Sequence, residues 1–117
     1  MRLVISGYRD FYDKNIIEHE MMKILNTSEE HTVIHGGCRG VDMIGDAIAK
    51  AHGWNVEVFK PDWSVGKRGA LIRNEEMVVI GRPTYALLFI HPESRGTKHM
   101  LGIVKKYGIP HTIVEVK

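Results

Sequence analysis

The 117-residue chain contains one cysteine, Cys38. That excludes an internal disulfide and any metal site built from several thiolates. Neither sign of charge is in excess. Sixteen Lys and Arg against fourteen Asp and Glu give a formal net charge of +2, too little for the broad basic face that non-specific nucleic-acid binding needs. No apolar run approaches the ~18 residues of a membrane span, and no apolar signal region precedes the strand-like run that starts at Arg2. His19-Glu20 lacks the second histidine of H-E-x-x-H, so no metal site is expected. There is no linker, repeat or low-complexity segment. The expectation is a reduced, cytoplasmic protein with a single domain over residues 1–117, able to bury roughly two-thirds of its unfolded surface. Neither a membrane nor a nucleic acid is an expected partner, and a homo-oligomer stays open.

Glycine, by contrast, is abundant: twelve residues, above the typical ~7%. Around it the chain alternates short apolar runs with segments of helical period. Strands are expected at Leu3–Ile5, Thr32–His35, Val56–Phe59, Tyr85–Ile90 and Thr112–Val116. Helices are expected from the Asp13 cap to Leu25, from Val41 to His52 ahead of Gly53, from the end of a Lys60–Lys67 loop to near Gly81, and from Thr97 to Tyr107. Strands alternating with single helices imply an α/β fold with a five-stranded, mainly parallel sheet covered by helices on both faces. Ligands bind such sheets at the carboxyl ends of the strands, where strand order reverses.

The loops at those ends are rich in glycine and arginine. Ser6-Gly7-Tyr8-Arg9-Asp10 follows the first strand and Gly36-Gly37-Cys38-Arg39-Gly40-Val41-Asp42 the second. Pro61-Asp62-Trp63, Gly66-Lys67-Arg68-Gly69 and Arg73-Asn74 follow the third, and Ser94-Arg95-Gly96-Thr97 the fourth. Glycines between a strand and a helix N-terminus let backbone amides approach an anion, which the helix dipole also favours. The second loop is neither G-x-G-x-x-G nor a P-loop, so a tight turn without a ligand stays open for it. Thr97 is a candidate N-cap as well as a phosphate contact. Trp63 suits either a stacked base or a core position. Asp10 and Asp42 are the candidate acid/base residues; Asp42, in a first helical turn, is also stabilising there without any ligand. Cys38 as a nucleophile would need a base, and His35 is the histidine nearest in sequence.

Read together, V-I-S-G-Y-R-D, H-G-G-C-R-G-V-D, P-D-W with G-K-R-G and R-N-E-E-M, and S-R-G-T resemble the YspA-like branch of the SLOG superfamily. That superfamily also holds the DNA-processing protein DprA and the cytokinin-activating LOG phosphoribohydrolases. The resemblance implies a Rossmann-like domain that binds a nucleotide or nucleotide-derived ligand. Arg73-Asn74-Glu75-Glu76-Met77 is similar to the R-K-x-x-M segment of the LOG enzymes. Their P-G-G-x-G-T-x-x-E segment is only partly matched, because the first glycine pair is missing and Met100 stands at the glutamate.

These observations lead to an expected binding module, a sensor or sequestering protein for a purine nucleotide or an ADP-ribose-type ligand. Gly36, Gly37, Gly40, Gly96 and Thr97 would hold phosphate through their amides. Arg9, Arg39, Arg73 and Arg95 supply charge-assisted contacts, while Asp10, Asp42 and Asn74 read ribose or base. Ser6, Gly7, Trp63 and Lys67 complete the expected site. No cofactor is required; a magnesium ion beside the phosphates is compatible with these motifs, but none of them calls for it. The alternatives are a small LOG-like hydrolase acting on an N-glycosidic bond or a phosphate, and, behind it, nucleic-acid binding of the DprA kind.

Overall fold

A computed structural model describes residues 1–117. Five strands, β1 (Arg2–Gly7), β2 (Thr32–His35), β3 (Asn55–Val58), β4 (Tyr85–Ile90) and β5 (His111–Glu115), alternate with four helices, α1 (Lys14–Ile24), α2 (Val41–Ala51), α3 (Arg68–Val79) and α4 (Arg95–Lys106). The sheet order is β3-β2-β1-β4-β5 and every pairing is parallel. The expected α/β, Rossmann-like domain is therefore present.

Alternation along the central strands divides the core. Leu3 and Ile5 of β1 and Leu87 and Phe89 of β4 pack with Ile17 and Met21 of α1 and Ile48 and Ala49 of α2. Val4, Ala86 and Leu88 face the other way, against Met77 and Val78 of α3 and Met100, Ile103 and Val104 of α4. Because both faces are buried, β4 is apolar along its whole length. The chain winds outward from β1 to β3 on one side, then restarts beside β1 with β4. A common crossover hand sends the second pair of helices to the opposite face. The C-terminal ends of β1 and β4 thus flank the switch point.

Two local expectations shift. The 60–67 loop contains a single 3₁₀ turn, Trp63–Val65, capped by Asp62. Helix α4 begins at Arg95 behind Ser94, so Thr97 lies inside the first turn and is not the N-cap.

Candidate functional site

A cleft of about 560 Å³ opens at the switch point. Ser6, Gly7, Tyr8, Arg9 and Asp10 come from the end of β1 and the loop after it, and Glu93, Ser94, Arg95, Gly96 and Thr97 from the β4–α4 loop and first turn. Cys38 and Asp42 form its floor near α2, and Trp63, Lys67, Ala70, Leu71, Arg73, Asn74 and Met77 its α3 wall. Gly36, Gly37, Arg39 and Gly40 are not on this surface.

The glycine-rich second loop is closed on itself. The Asp42 carboxylate accepts the Gly36 amide (3.1 Å) and the Cys38 amide (3.2 Å) through one oxygen, Oδ2. The Gly37 amide donates to His35 Nδ1 at 2.9 Å. The Gly36 and Gly37 amides, expected as phosphate contacts, thus already donate to a carboxylate and an imidazole of the same chain. The glycines answer to packing. Gly40, at φ +79°, lies where a Cβ would come within 2.5 Å of the Arg9 carbonyl oxygen, so this position locks the first loop onto the second.

Arg73 and Asn74 are likewise engaged. Arg73 is 7% exposed. Its Nη1 donates to the Gly36 carbonyl (2.6 Å) and the Phe59 carbonyl (3.3 Å), and its Nε to Asn74 Oδ1 (3.1 Å). Asn74 Nδ2 donates to the Gly96 carbonyl and to His99 Nδ1, each at 3.2 Å. The pair ties the ends of β2 and β3 to α3 and the start of α4. Both also line the cleft, so they help to build it while most of their donors are already engaged within the chain. Arg39 forms an exposed ion pair with Asp10 at 2.7 Å and does not line the cleft; the pair partly neutralises Asp10.

Open donors remain at α4. Ser94 Oγ accepts the His91 amide and does not cap the helix. The Gly96 and Thr97 amides donate to no acceptor within the chain, and nothing lies within 4 Å of where a Gly96 Cβ would be. Arg9, Lys67 and Arg95 line the same space without a carboxylate partner. Trp63, 64% exposed, stands at the rim. Tyr8, from the loop after β1, stacks on His91, ring centroids 4.1 Å apart, and its hydroxyl donates to Glu93 Oε2 at 3.3 Å. Burial and the adjacent Glu93 raise the Tyr8 phenol above its ordinary value.

Asp42 is 5% exposed. Burial pushes its carboxyl up to about 6, against the pull of His35, the two amides and Arg73. Its Oδ1 has no partner in the chain and belongs to a residue on the cleft surface. Beneath it, fully buried His35 uses Nδ1 as an acceptor, so Nε2 carries the proton and donates to Asp46 Oδ2 at 2.6 Å. Burial opposes the Asp46 charge, but Lys50, at 2.8 Å, and His35 together hold that carboxyl below its usual range. Both His35 nitrogens are engaged, so His35 is not available as a base for Cys38.

The sequence profile of the YspA, cpYpsA-related SLOG family matches residues 1–66. The "Gene 61 protein" of Mycobacterium phage D29 is 35% identical over an alignment of 116 residues, covering 93% of this chain and 92% of that protein. The chain belongs to the YspA, cpYpsA-related SLOG family. Within this SLOG domain, Tyr8, Cys38, Ala70, Leu71, Met77, Glu93 and Ser94 line the cleft beyond the residues expected. Tyr8, Cys38 and Ser94 lie inside the loop motifs, so they were within reach of the motif reading. Leu71 and Met77 carry no signal apart from helical spacing. Met100 is fully buried between α4 and the sheet, among Val4, Ile34, Met77 and Leu88. The position matched to the LOG glutamate thus belongs to the core and not to the cleft surface.

Proposed function

We propose that this SLOG domain binds a nucleotide or nucleotide-derived ligand in the switch-point cleft and acts as a sensor or sequestering module. The observation that carries the proposal is the uncapped start of α4. Two backbone amides open onto the same cleft as three unpaired cations, a combination suited to a phosphate group. Membership of the SLOG family supports a nucleotide-related role. Trp63 supplies a flat apolar face for a base. Asp42, with Oδ1 unpartnered, suits a ribose hydroxyl or another donor; it would repel phosphate, which keeps the phosphate end near Arg9, Arg95 and α4.

A ligand held only by the folded state stabilises it by about 2.7 kcal/mol at a hundredfold excess over Kd. Thermal melts are therefore run against nucleoside mono-, di- and triphosphates, dinucleotides, cyclic nucleotides and ADP-ribose. At least one purine-containing species raises the midpoint; a flat response across the panel overturns the proposal.

One observation favours a second reading, a LOG-like nucleotide hydrolase. A carboxyl shifted to about 6 beside an open cleft has the protonation behaviour of a general acid or base. Asp42 is then the acting residue, since Asp10 is exposed and paired with Arg39. Release of free adenine or guanine from the monophosphates, abolished by Asp42→Asn, would establish this activity; its absence would leave the binding module.

A further inference from the structure

Helix α3 turns Gly69, Arg73, Asn74, Met77 and Val78 inward. Its outer side carries Ile72 (50% exposed), Val79 and Ile80 (61% exposed), with Val65 exposed just before the helix. Isolated exposed apolar side chains are ordinary, but several on one helix face form an interaction surface. Along that face two rows run at i, i+4 spacing: Arg68–Ile72–Glu76 continuing to Ile80, and Leu71–Glu75–Val79. A groove of about 350 Å³, with almost wholly apolar walls, lies between them.

The charges on the first row are unused. Arg68 and Glu76 make no ion pair within the chain, whereas Glu75 of the second row is held by Tyr107 and Lys106. Opposite charges thus stand one helical turn before and one turn after an exposed isoleucine. Reversing the helix about Ile72 exchanges the two positions, so the row complements an antiparallel copy of itself. A partner of uniform charge would satisfy one end and be repelled at the other.

We propose that the outer face of α3 joins two copies of this chain about a two-fold axis at Ile72. Ile72 packs on its counterpart, the ridge of each copy enters the groove of the other, and Arg68 of each copy pairs with Glu76 of the other. Such an interface is isologous and closes at two subunits. It does not rest on the ligand reading: the cleft uses the Ala70, Leu71, Arg73, Asn74 and Met77 side of α3, while the interface is centred on Arg68, Ile72 and Glu76, none of which lines the cleft, and Leu71 lies at the border between the two.

The test is sedimentation velocity on the full chain at roughly 0.1 mM, where an interface of mid-micromolar Kd is populated. The wild type sediments as a dimer. Arg68→Glu and Glu76→Arg each place like charges opposite one another twice and weaken dimerisation by roughly tenfold or more. An equimolar mixture of the two variants recovers the dimer, because every facing pair is again opposite in sign. Both residues are solvent-facing, and circular dichroism confirms that each variant is folded. A wild type that is monomeric at this concentration overturns the proposal. So does a dimer untouched by both single variants, or a mixture that fails to re-associate.

Discussion

Replacing Asp42 by asparagine tests the physical centre of the cleft. At neutral pH the folded protein holds the Asp42 charge out of water, and burial lifts the carboxyl from about 4 to about 6. A change of about two pH units corresponds to about 3 kcal/mol. The sign follows from proton binding: between about pH 4 and 6 the folded state keeps a proton that the unfolded chain releases. This residue's contribution to stability therefore falls as pH rises through that window, and above it the folded state carries the full disadvantage. Asparagine keeps the shape and still presents an oxygen to the Gly36 and Cys38 amides, but it does not ionise. Its amide bonds are weaker than those of a carboxylate, which trims the gain to about 1–3 kcal/mol. In urea, with a slope of about 2 kcal/mol/M, a 2 kcal/mol gain moves the midpoint up by about 1 M. Unfolding curves of both proteins are compared at pH 4, 5, 6, 7 and 8. Asp42→Asn should be the more stable at pH 8, with the advantage shrinking steadily towards pH 4. A difference that does not change with pH, or a variant less stable than wild type at pH 8, refutes this account. A residue that destabilises the fold at neutral pH fits a role in binding or chemistry, so the stabilised variant should also lose affinity in the ligand melts.

Arg73→Ala leaves the Gly36 and Phe59 carbonyls without their buried donor and should destabilise the fold by about 2–5 kcal/mol in urea titration; a loss of affinity with unchanged stability would make Arg73 a ligand contact after all. Gly40→Val forces a side chain against the Arg9 backbone at a left-handed φ and should lower the thermal midpoint, whereas Gly96→Val meets open space, keeps its circular dichroism spectrum and loses ligand affinity. An intact ligand response in folded Gly96→Val would move the phosphate away from α4. Met100→Glu buries a carboxylate in the apolar core and should cost about 3 kcal/mol or more without producing base release from nucleoside monophosphates; turnover by a stable Met100→Glu protein would place that side chain in the cleft.

The periodicity of apolar residues was enough to determine the order of elements, the parallel sheet and the strand ends at which the cleft lies. Buried parallel strands and their covering helices must carry continuous and 3.6-period apolar patterns wherever they occur. The loop motifs likewise identified most of the residues that line the cleft, because this topology gathers those loops at one edge of the sheet, although Gly36, Gly37, Arg39 and Gly40 of the second loop do not reach its surface. Which of those residues are free to meet a ligand depended on partners far away in the chain. Arg73 is engaged by the carbonyl of Gly36, thirty-seven residues away, and Asn74 by that of Gly96, twenty-two residues away. Asp42 closes the glycine loop that its own sequence motif presents as open. Thr97 loses the cap position because the helix already begins at Arg95, which leaves Ser94 at the N-cap with its hydroxyl accepting from the His91 amide. Hydrogen bonds are short and directional, so which donor meets which acceptor is settled only when the sheet brings separate loops together. Local pattern therefore located the site, and tertiary contact decided which of its polar groups hold the protein together and which remain unpaired at its surface.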